Sequence, residues 1–120
     1  MNIIEKINEK FPSDLTVEDI EAKYPPRPEG QIVTRIAPSP TGMMHIGSVY
    51  AALISERVAH MQDGVFILRI EDTDTKREVE GATDIIINGL KNFGIEADEG
   101  AISRTEETGD YGPYTQSQRR

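Results

Sequence analysis

Apolar residues at the start of the chain recur at steps of three and four positions. These residues are Ile3, Ile4, Ile7 and Phe11. Their spacing predicts a short helix, which Pro12 interrupts because proline lacks the amide hydrogen that a helix interior needs. Thr16 then precedes Glu18 and Asp19, a pattern typical of a helix N-cap with acids in the first turn.

The pattern changes after a proline-rich stretch. Residues 25–28 carry three prolines in four positions, which favours extended backbone and excludes a helix. Residues 32–36 then form a short β-rich run that predicts a strand. Residues 65–70 are almost all apolar, as expected of a strand buried on both faces of a parallel sheet. Residues 98–112, rich in Gly, Glu and Thr, predict an exposed loop.

Two helices are predicted, one between these strands and one after them. The first covers residues 45–62, with an apolar stripe of Ile46, Val49, Tyr50, Leu53, Ile54, Val58 and Met61. The apolar positions of the second are Val79, Ala82, Ile86, Leu90 and Phe93, before Gly94. The order strand, helix, strand, helix predicts a right-handed β-α-β unit. The fold class is therefore α/β: the first half of a Rossmann-like parallel-sheet nucleotide-binding domain (residues 30–120, incomplete), preceded by a short helical extension and proline-rich linker (residues 1–29).

Composition excludes several kinds of protein. The 120 residues include no cysteine, which excludes disulfides and thiolate zinc sites. No apolar run approaches the ~20 residues that span a membrane, and the first residues lack a signal-peptide pattern. We therefore expect a cytoplasmic protein with no membrane partner. The net charge of −8 argues against nucleic acid as the main partner of these residues, because Lys and Arg make most phosphate contacts. Half a sheet leaves an open strand edge, so self-association is expected.

The segment from residue 34 to residue 48 carries the most candidate chemistry. It joins the first predicted strand to the first predicted helix, so it lies at the carboxyl edge of the sheet, where ligands bind in open α/β folds. Pro38 and Pro40 stiffen the loop, and Gly42 permits a turn. Gly47 leaves room for a flat ring against the helix, and His45 can donate to phosphate oxygens. The segment is neither a dinucleotide glycine fingerprint nor a phosphate-binding lysine loop.

Several motifs together resemble those of class I glutamyl-tRNA synthetases. Arg-Ile-Ala-Pro-Ser-Pro-Thr-Gly at residues 35–42, followed by His-Ile-Gly at residues 45–47, is similar to the signature of this family. Glu-Asp-Thr-Asp at residues 71–74 resembles its next motif. Asp-Glu-Gly at residues 98–100 and Tyr-Thr-Gln-Ser-Gln-Arg at residues 114–119 also match. The extension, ending in Tyr-Pro-Pro-Arg, is similar to one found in some bacterial members.

The resemblance implies an activity and a set of roles. The family activates L-glutamate with ATP and Mg²⁺ to give glutamyl-adenylate and pyrophosphate, and then esterifies tRNA-Glu. By analogy, glutamate would be bound by Arg35 at its side-chain carboxylate, by Ala37 and Ser39, and by Glu71 at its α-ammonium group. ATP would be bound by Pro38, Thr41, Gly42, His45, Gly47 and Ser48, with His45 and Gly47 as the catalytic pair. No residue of the chain is expected to hold a metal, and most contacts with tRNA are expected elsewhere in the parent protein.

Structural roles stay open for some of these residues. Arg35 could instead form an ion pair with Glu71 or Asp72, and Asp72 and Asp74 are as suited to capping the next segment as to touching substrate. Packing is predicted for Met43 and Met44, an internal salt bridge for Arg69, and a surface position for His60.

The chain departs from the family in two respects, and three rival functions stay open. Ser48 replaces the second histidine of the class signature, and a Lys-Met-Ser-Lys-Ser loop is absent from the sequence. The chain alone is therefore expected to activate glutamate slowly or not at all. The rivals are a glutamyl-queuosine-type paralogue that modifies a tRNA base, a glutaminyl enzyme, and a non-catalytic fragment that binds a nucleotide or a protein partner.

Overall fold

A computed structural model describes residues 2–10 and 14–119 of the chain. Its helices are α1 (Ile3–Lys10), α2 (Val17–Lys23), α3 (Ile46–His60) and α4 (Ala82–Asn92). Its strands are β1 (Val33–Ile36), β2 (Val65–Leu68), β3 (Glu99–Ala101) and β4 (Glu107–Thr108), and a 3₁₀ turn covers Gln116–Gln118. The predicted ends of the first helix at Phe11 and Pro12 lie outside the described residues. No helix in the described ranges is long and apolar enough to cross a membrane.

The four strands form one sheet in the order β1-β2-β3-β4. β1 pairs with β2 in parallel, with Arg35 opposite Ile67, and β2 pairs with β3 in parallel, with Leu68 opposite Gly100. β4 adds an antiparallel edge through a tight connection from β3. The parallel strands separated by helices confirm the predicted α/β class.

Helix α3 packs against β1 and β2 through only part of its predicted stripe, because Val49 is buried and Leu53 packs against the core. The face that it buries consists of Val49, Ala52, Glu56 and Ala59. Five residues of the predicted stripe are instead exposed: Ile46, Tyr50, Ile54, Val58 and Met61. The small alanine side chains allow the helix axis to lie close to the sheet. Since apolar residues occur on nearly every side of this helix, their spacing alone did not identify the buried face.

The core lies between the sheet and the two longer helices. Phe66 and Leu68 of β2 are buried, as is Ile70 just beyond it, so the predicted burial of this strand is confirmed. From α4 the core receives Ala82, Ile86, Ile87 and Leu90. The outer positions of the predicted second helix were wrong, because Val79 and Phe93 are exposed and lie just outside α4.

The predicted loop at residues 98–112 was wrong in part, because β3 and β4 lie within it. Gly100 and Ala101 are buried in the sheet. Gly100 has a φ of 116°, and a Cβ atom at this position would lie 1.9 Å from the carbonyl oxygen of Leu68. A strand this short and rich in glycine and acid gives no alternating apolar pattern, so composition alone suggested a loop.

The extension begins with two helices that are largely exposed. Thr16 caps α2 as predicted: its hydroxyl accepts from the Asp19 amide at 3.1 Å, and the Asp19 carboxylate accepts from the Thr16 amide at 2.9 Å. The bond from the Thr16 amide, followed by one from the Thr16 hydroxyl to the same carboxylate, lowers the pKa of Asp19. None of the residues of α2 is buried. Residues 24–28, which we call the strap, follow α2 without regular secondary structure and contact residues between 99 and 112.

Candidate active site

The loop that follows β1 is held against the end of β2 by backbone hydrogen bonds. The Arg69 amide donates to the Ile36 carbonyl and the Glu71 amide donates to the Pro38 carbonyl, both at 3.0 Å. Further along, the Val79 amide donates to the Pro40 carbonyl at 2.9 Å. The first two bonds continue the β1–β2 pairing beyond the strands, and the third joins the loop to the segment before α4. The proline loop and the acidic motif at residues 71–74 therefore lie side by side at the carboxyl edge of the sheet.

A cleft of about 310 Å³ opens beside this loop and the start of α3. It is lined by Arg35, Ile36, Ala37, Pro38, Met44, Ser48 and Ala51. Four of the predicted site residues therefore meet there: Arg35, Ala37, Pro38 and Ser48. The volume is at the lower end of the range of small-molecule sites, roughly 300–1,000 Å³.

Arg35 is exposed in this cleft. Within the described ranges it forms no ion pair with Glu71, Asp72 or any other acid. The structure therefore does not contain the internal ion pair that was the alternative role of this arginine. A guanidinium without a protein partner is available to a carboxylate from solution.

His45 is the N-cap of α3, and its imidazole is oriented by the helix itself. Its Nδ1 atom accepts from the Gly47 amide at 3.1 Å. In a neutral ring the proton must then be on Nε2, which leaves Nε2–H as a donor beside the helix start. A Cβ atom at Gly47 would lie 3.2 Å from His45 Nδ1, so glycine here prevents crowding of the imidazole.

Six predicted residues lie outside the lining of the cleft: Ser39, Thr41, Gly42, His45, Gly47 and Glu71. Ser39 and Thr41 are exposed in the loop, where the Thr41 amide donates to the Ser39 carbonyl at 2.8 Å. Gly42 has a φ of 131°, a conformation that favours glycine, so the predicted turn is present. Ser39, His45 and Gly47 are next to lining residues along the chain, whereas Glu71 is not.

Glu71 is braced by a segment that the sequence did not connect with it. Arg69 lies 3.6 Å from Glu71 and also donates to the Gln116 side chain, which confirms its predicted role in an internal salt bridge. The Ser117 amide and hydroxyl donate to the Asp72 carboxylate at 2.8 and 2.5 Å. Asp72 therefore caps this later segment and not the one that follows it.

The structure also shows the surroundings of Asp74 and of the two methionines, Met43 and Met44. Asp74 accepts from Arg77 Nε at 2.6 Å, and this hydrogen bond lowers the pKa of Asp74. Met44 packs against the core as predicted, whereas Met43 was predicted wrongly and is 88% exposed.

The described residues contain no group of three or more His, Cys, Asp or Glu side chains arranged to hold a metal ion.

The fold and the loop define a class: a Rossmann-like α/β domain with a cleft at the carboxyl edge of its parallel strands. Residues 31–120 match the family described as tRNA synthetases class I (E and Q), catalytic domain. The chain belongs to this family.

Individual relatives agree with this assignment. Over 112 residues the chain is 56% identical to the glutamate–tRNA ligase of Clostridium perfringens strain 13, covering 91% of this chain and 20% of the relative. It is 59% identical over 90 residues to that of Acetivibrio thermocellus, covering 75% and 16%. The crystal structure of glutamate–tRNA synthetase from Elizabethkingia anophelis superposes with a TM-score of 0.68 at 44% identity, covering 74% and 17%. The chain thus spans about a fifth of the length of these relatives.

Proposed function

We propose that this chain is the amino-terminal part of a glutamate–tRNA ligase and supplies half of its site for glutamate and ATP. The observation that carries the proposal is the hydrogen bond from the Glu71 amide to the carbonyl of Pro38, which lines the cleft together with the exposed Arg35. This bond brings a cationic and an anionic side chain to one edge of the sheet. An amino acid with a carboxylate side chain needs such a pair of opposite charges.

For glutamate, Arg35 binds the side-chain carboxylate, since its planar guanidinium can donate two parallel hydrogen bonds. Glu71 accepts from the α-ammonium group, with Arg69 fixing the position of its carboxylate. Ser39 donates a hydrogen bond to the substrate, and the small side chain of Ala37 allows close backbone approach.

For ATP, the proline loop and the start of α3 form the binding surface, through Pro38, Thr41, Gly42, His45, Gly47 and Ser48. The α-carboxylate of glutamate attacks the α-phosphorus, the bond to the bridging oxygen breaks, and pyrophosphate leaves with Mg²⁺. Because the substrate carboxylate is the nucleophile, no protein nucleophile is needed. His45 Nε2–H donates to phosphate oxygens as charge builds on them.

The remaining parts of the proposal concern the parent protein. Residues 1–29 form the extension, and residues 30–120 form the first half of the catalytic domain. The net charge of −8 leaves little cationic surface for tRNA, so most of the tRNA contacts lie in other parts of the parent protein. The place of action is the cytoplasm.

The test is glutamate-dependent exchange of pyrophosphate into ATP by the complete gene product, with and without tRNA. L-glutamate should support exchange and L-glutamine should not, and glutamate should then be esterified to tRNA-Glu. Preference for glutamine would favour a glutaminyl enzyme. Transfer to a modified base of tRNA-Asp would favour the queuosine-type paralogue. No exchange with either amino acid would overturn the proposal.

A further inference from the structure

The strap makes specific contacts with the opposite end of the chain. Arg27 donates two hydrogen bonds to the Glu99 carboxylate, at 2.9 and 2.6 Å. The Arg27 guanidinium also stacks over the Tyr111 ring at 4.0 Å. The Tyr24 hydroxyl donates to the Gly112 carbonyl at 3.2 Å, and the Tyr111 hydroxyl donates to the Pro25 carbonyl at 2.7 Å.

The Arg27–Glu99 pair has the geometry of a strong ion pair. Its two parallel hydrogen bonds form the fork that arginine makes with a carboxylate. Only 20% of the Arg27 side chain and 16% of the Glu99 side chain are exposed, so solvent screens the pair less than it would on an open surface. The Arg27 guanidinium also lowers the pKa of Glu99, which keeps this carboxylate ionised.

Glu99 also contacts residues 111–118, which we call the brace. Because Arg27 fixes the Glu99 carboxylate, it also restricts the position of this segment. The Tyr114 hydroxyl donates to Glu99 at 2.9 Å and accepts from the Tyr111 amide at 3.0 Å. Tyr114 is 2% exposed, so the surrounding residues leave its side chain little room to move. The Glu107 carboxylate accepts from the Tyr114 amide at 2.9 Å and from the Thr115 amide at 2.8 Å. The strap and β4 therefore hold the brace from two sides.

The brace in turn holds the acidic motif. The Ile70 amide donates to the Tyr114 carbonyl at 3.1 Å, and the Gln116 amide donates to the Ile70 carbonyl at 2.9 Å. Gln116 and Ser117 then engage Arg69 and Asp72, the near neighbours of Glu71 along the chain. A continuous path of hydrogen bonds thus runs from Arg27 to both sides of Glu71.

We propose that Arg27 is a positioning residue for the glutamate site, acting through Glu99 and the brace on the carboxylate of Glu71. This inference rests on the proposed function, because it takes Glu71 as the acceptor of the substrate ammonium group. The strap lies outside the segment, residues 31–120, that matches the family. A residue of the extension therefore helps to position the Glu71 carboxylate in the domain that follows.

The experiment compares Arg27→Met with Arg104→Met in the complete gene product, using pyrophosphate exchange. Both changes remove one positive charge and keep a side chain of similar length. Arg104 is exposed, and among the described residues it donates a hydrogen bond only through its backbone amide, to the Asp84 carboxylate at 3.2 Å. For Arg27→Met we expect KM for glutamate to rise about five-fold, a size typical of residues coupled to a site through intermediates. KM for ATP should change less than about two-fold, because the path reaches the Glu71 side chain through Arg69, whereas it meets the ATP-binding loop through backbone hydrogen bonds such as that from Glu71 to Pro38.

If Arg27→Met does not fold, the Arg27→Lys variant tests the inference instead. Lysine retains the charge but loses the fork and the stacking, so the ratio of the two KM values should move in the same direction by a smaller factor. A lower melting temperature with an unchanged ratio of KM values would overturn the inference and leave the strap as a purely structural clamp. An active wild type with equal ratios in the Arg27 and Arg104 variants would also overturn it, without touching the proposed function. A wild type without glutamate-dependent exchange would overturn both.

Discussion

Arg35 combines an exposed side chain with a position on the wall of the cleft. We expect Arg35→Lys in the complete gene product to lower kcat/KM for glutamate by about 10- to 100-fold, because an ammonium group cannot form two parallel hydrogen bonds with one carboxylate. In the 120-residue chain the same change should shift Tm by less than about 2 °C, since it removes no protein contact. Exchange kinetics and calorimetry measure the two effects. A large loss of Tm would restore the structural ion pair as the role of Arg35.

His60 links α3 to the segment before β3. Its Nδ1 lies 2.7 Å from Glu56 and its Nε2 lies 2.8 Å from Asp98, so the predicted surface residue is also a bridge. The hydrogen bond with Asp98, followed by the charges of Asp98 and Glu56, raises the pKa of His60 above its ordinary value. Glu56 is 3% exposed and Asp98 also accepts from the Phe66 amide, so both acids are fixed in place.

The raised pKa predicts how stability depends on pH. A histidine whose pKa is higher in the folded chain than in the unfolded chain stabilises the fold fully below its unfolded pKa of about 6.5. This contribution is lost as pH rises through the folded pKa. We expect the wild type to lose its advantage in Tm over His60→Gln between slightly acid and mildly alkaline pH. A difference in Tm that stays constant across this range would contradict the prediction.

At the level of elements, two glycines offer a matched test of the sheet. Gly100→Ala in β3 should destabilise the chain by more than roughly 3 kcal/mol, because its φ is positive and the new Cβ would collide with the Leu68 carbonyl. Gly89→Ala in α4 meets no atom within 4 Å and should stabilise the chain by about 0.5–1 kcal/mol. Urea unfolding of both variants provides the measurement. Equal effects would mean that β3 is not paired as described.

Strands and helices with a periodic apolar pattern could be predicted from the sequence. Which of their faces would be buried was harder to predict. The β1 and β2 runs and the two longer helices follow from apolar spacing. The buried face of α3 does not, because Ala52, Glu56 and Ala59 are not the residues that a hydrophobic stripe highlights. The sheet selects them since small side chains and one hydrogen-bonded acid fit close to β1 and β2. Tertiary packing therefore overrode the local pattern on this helix.

No pattern in the sequence predicted the contacts that hold the candidate site in place. Its motifs were recognisable because their residues are adjacent along the chain. The contacts that hold them are not adjacent: Arg27 and Glu99 are 72 positions apart, and Asp72 and Ser117 are 45 apart. No spacing rule connects such pairs. Even the short-range bond from Gly47 to His45 was invisible, because glycine suggested room for a ligand and not contact with the histidine.

For the molecule as a whole, exposed apolar surface and an open edge coincide. Within the described residues β1 ends the sheet on one side, and Ile46, Tyr50, Ile54 and Val58 are exposed on the neighbouring α3. We expect the isolated 120-residue chain to self-associate at micromolar concentration, because strand edges and apolar faces both favour pairing. Light scattering after size exclusion measures the mass.

A double variant separates this association from nonspecific effects. Ile54→Lys with Val33→Lys adds charge to the exposed face of α3 and to the edge strand, and should shift the chain toward monomer. Lys91→Glu, on α4, is a control that changes charge on another helix. A monomeric wild type would contradict the expectation, as would an equal response to both sets of changes.

The contacts of the strap also have a consequence for the order of folding. Arg27 can meet Glu99 only after a loop of about 70 residues has closed, and that closure is costly unless the sheet already holds the two ends together. The strap should therefore dock after the rate-limiting barrier. Loss of its contacts should speed unfolding and leave the refolding rate unchanged in stopped-flow experiments. A segment that leaves the ribosome before the strands of the sheet would then be fixed in place after them.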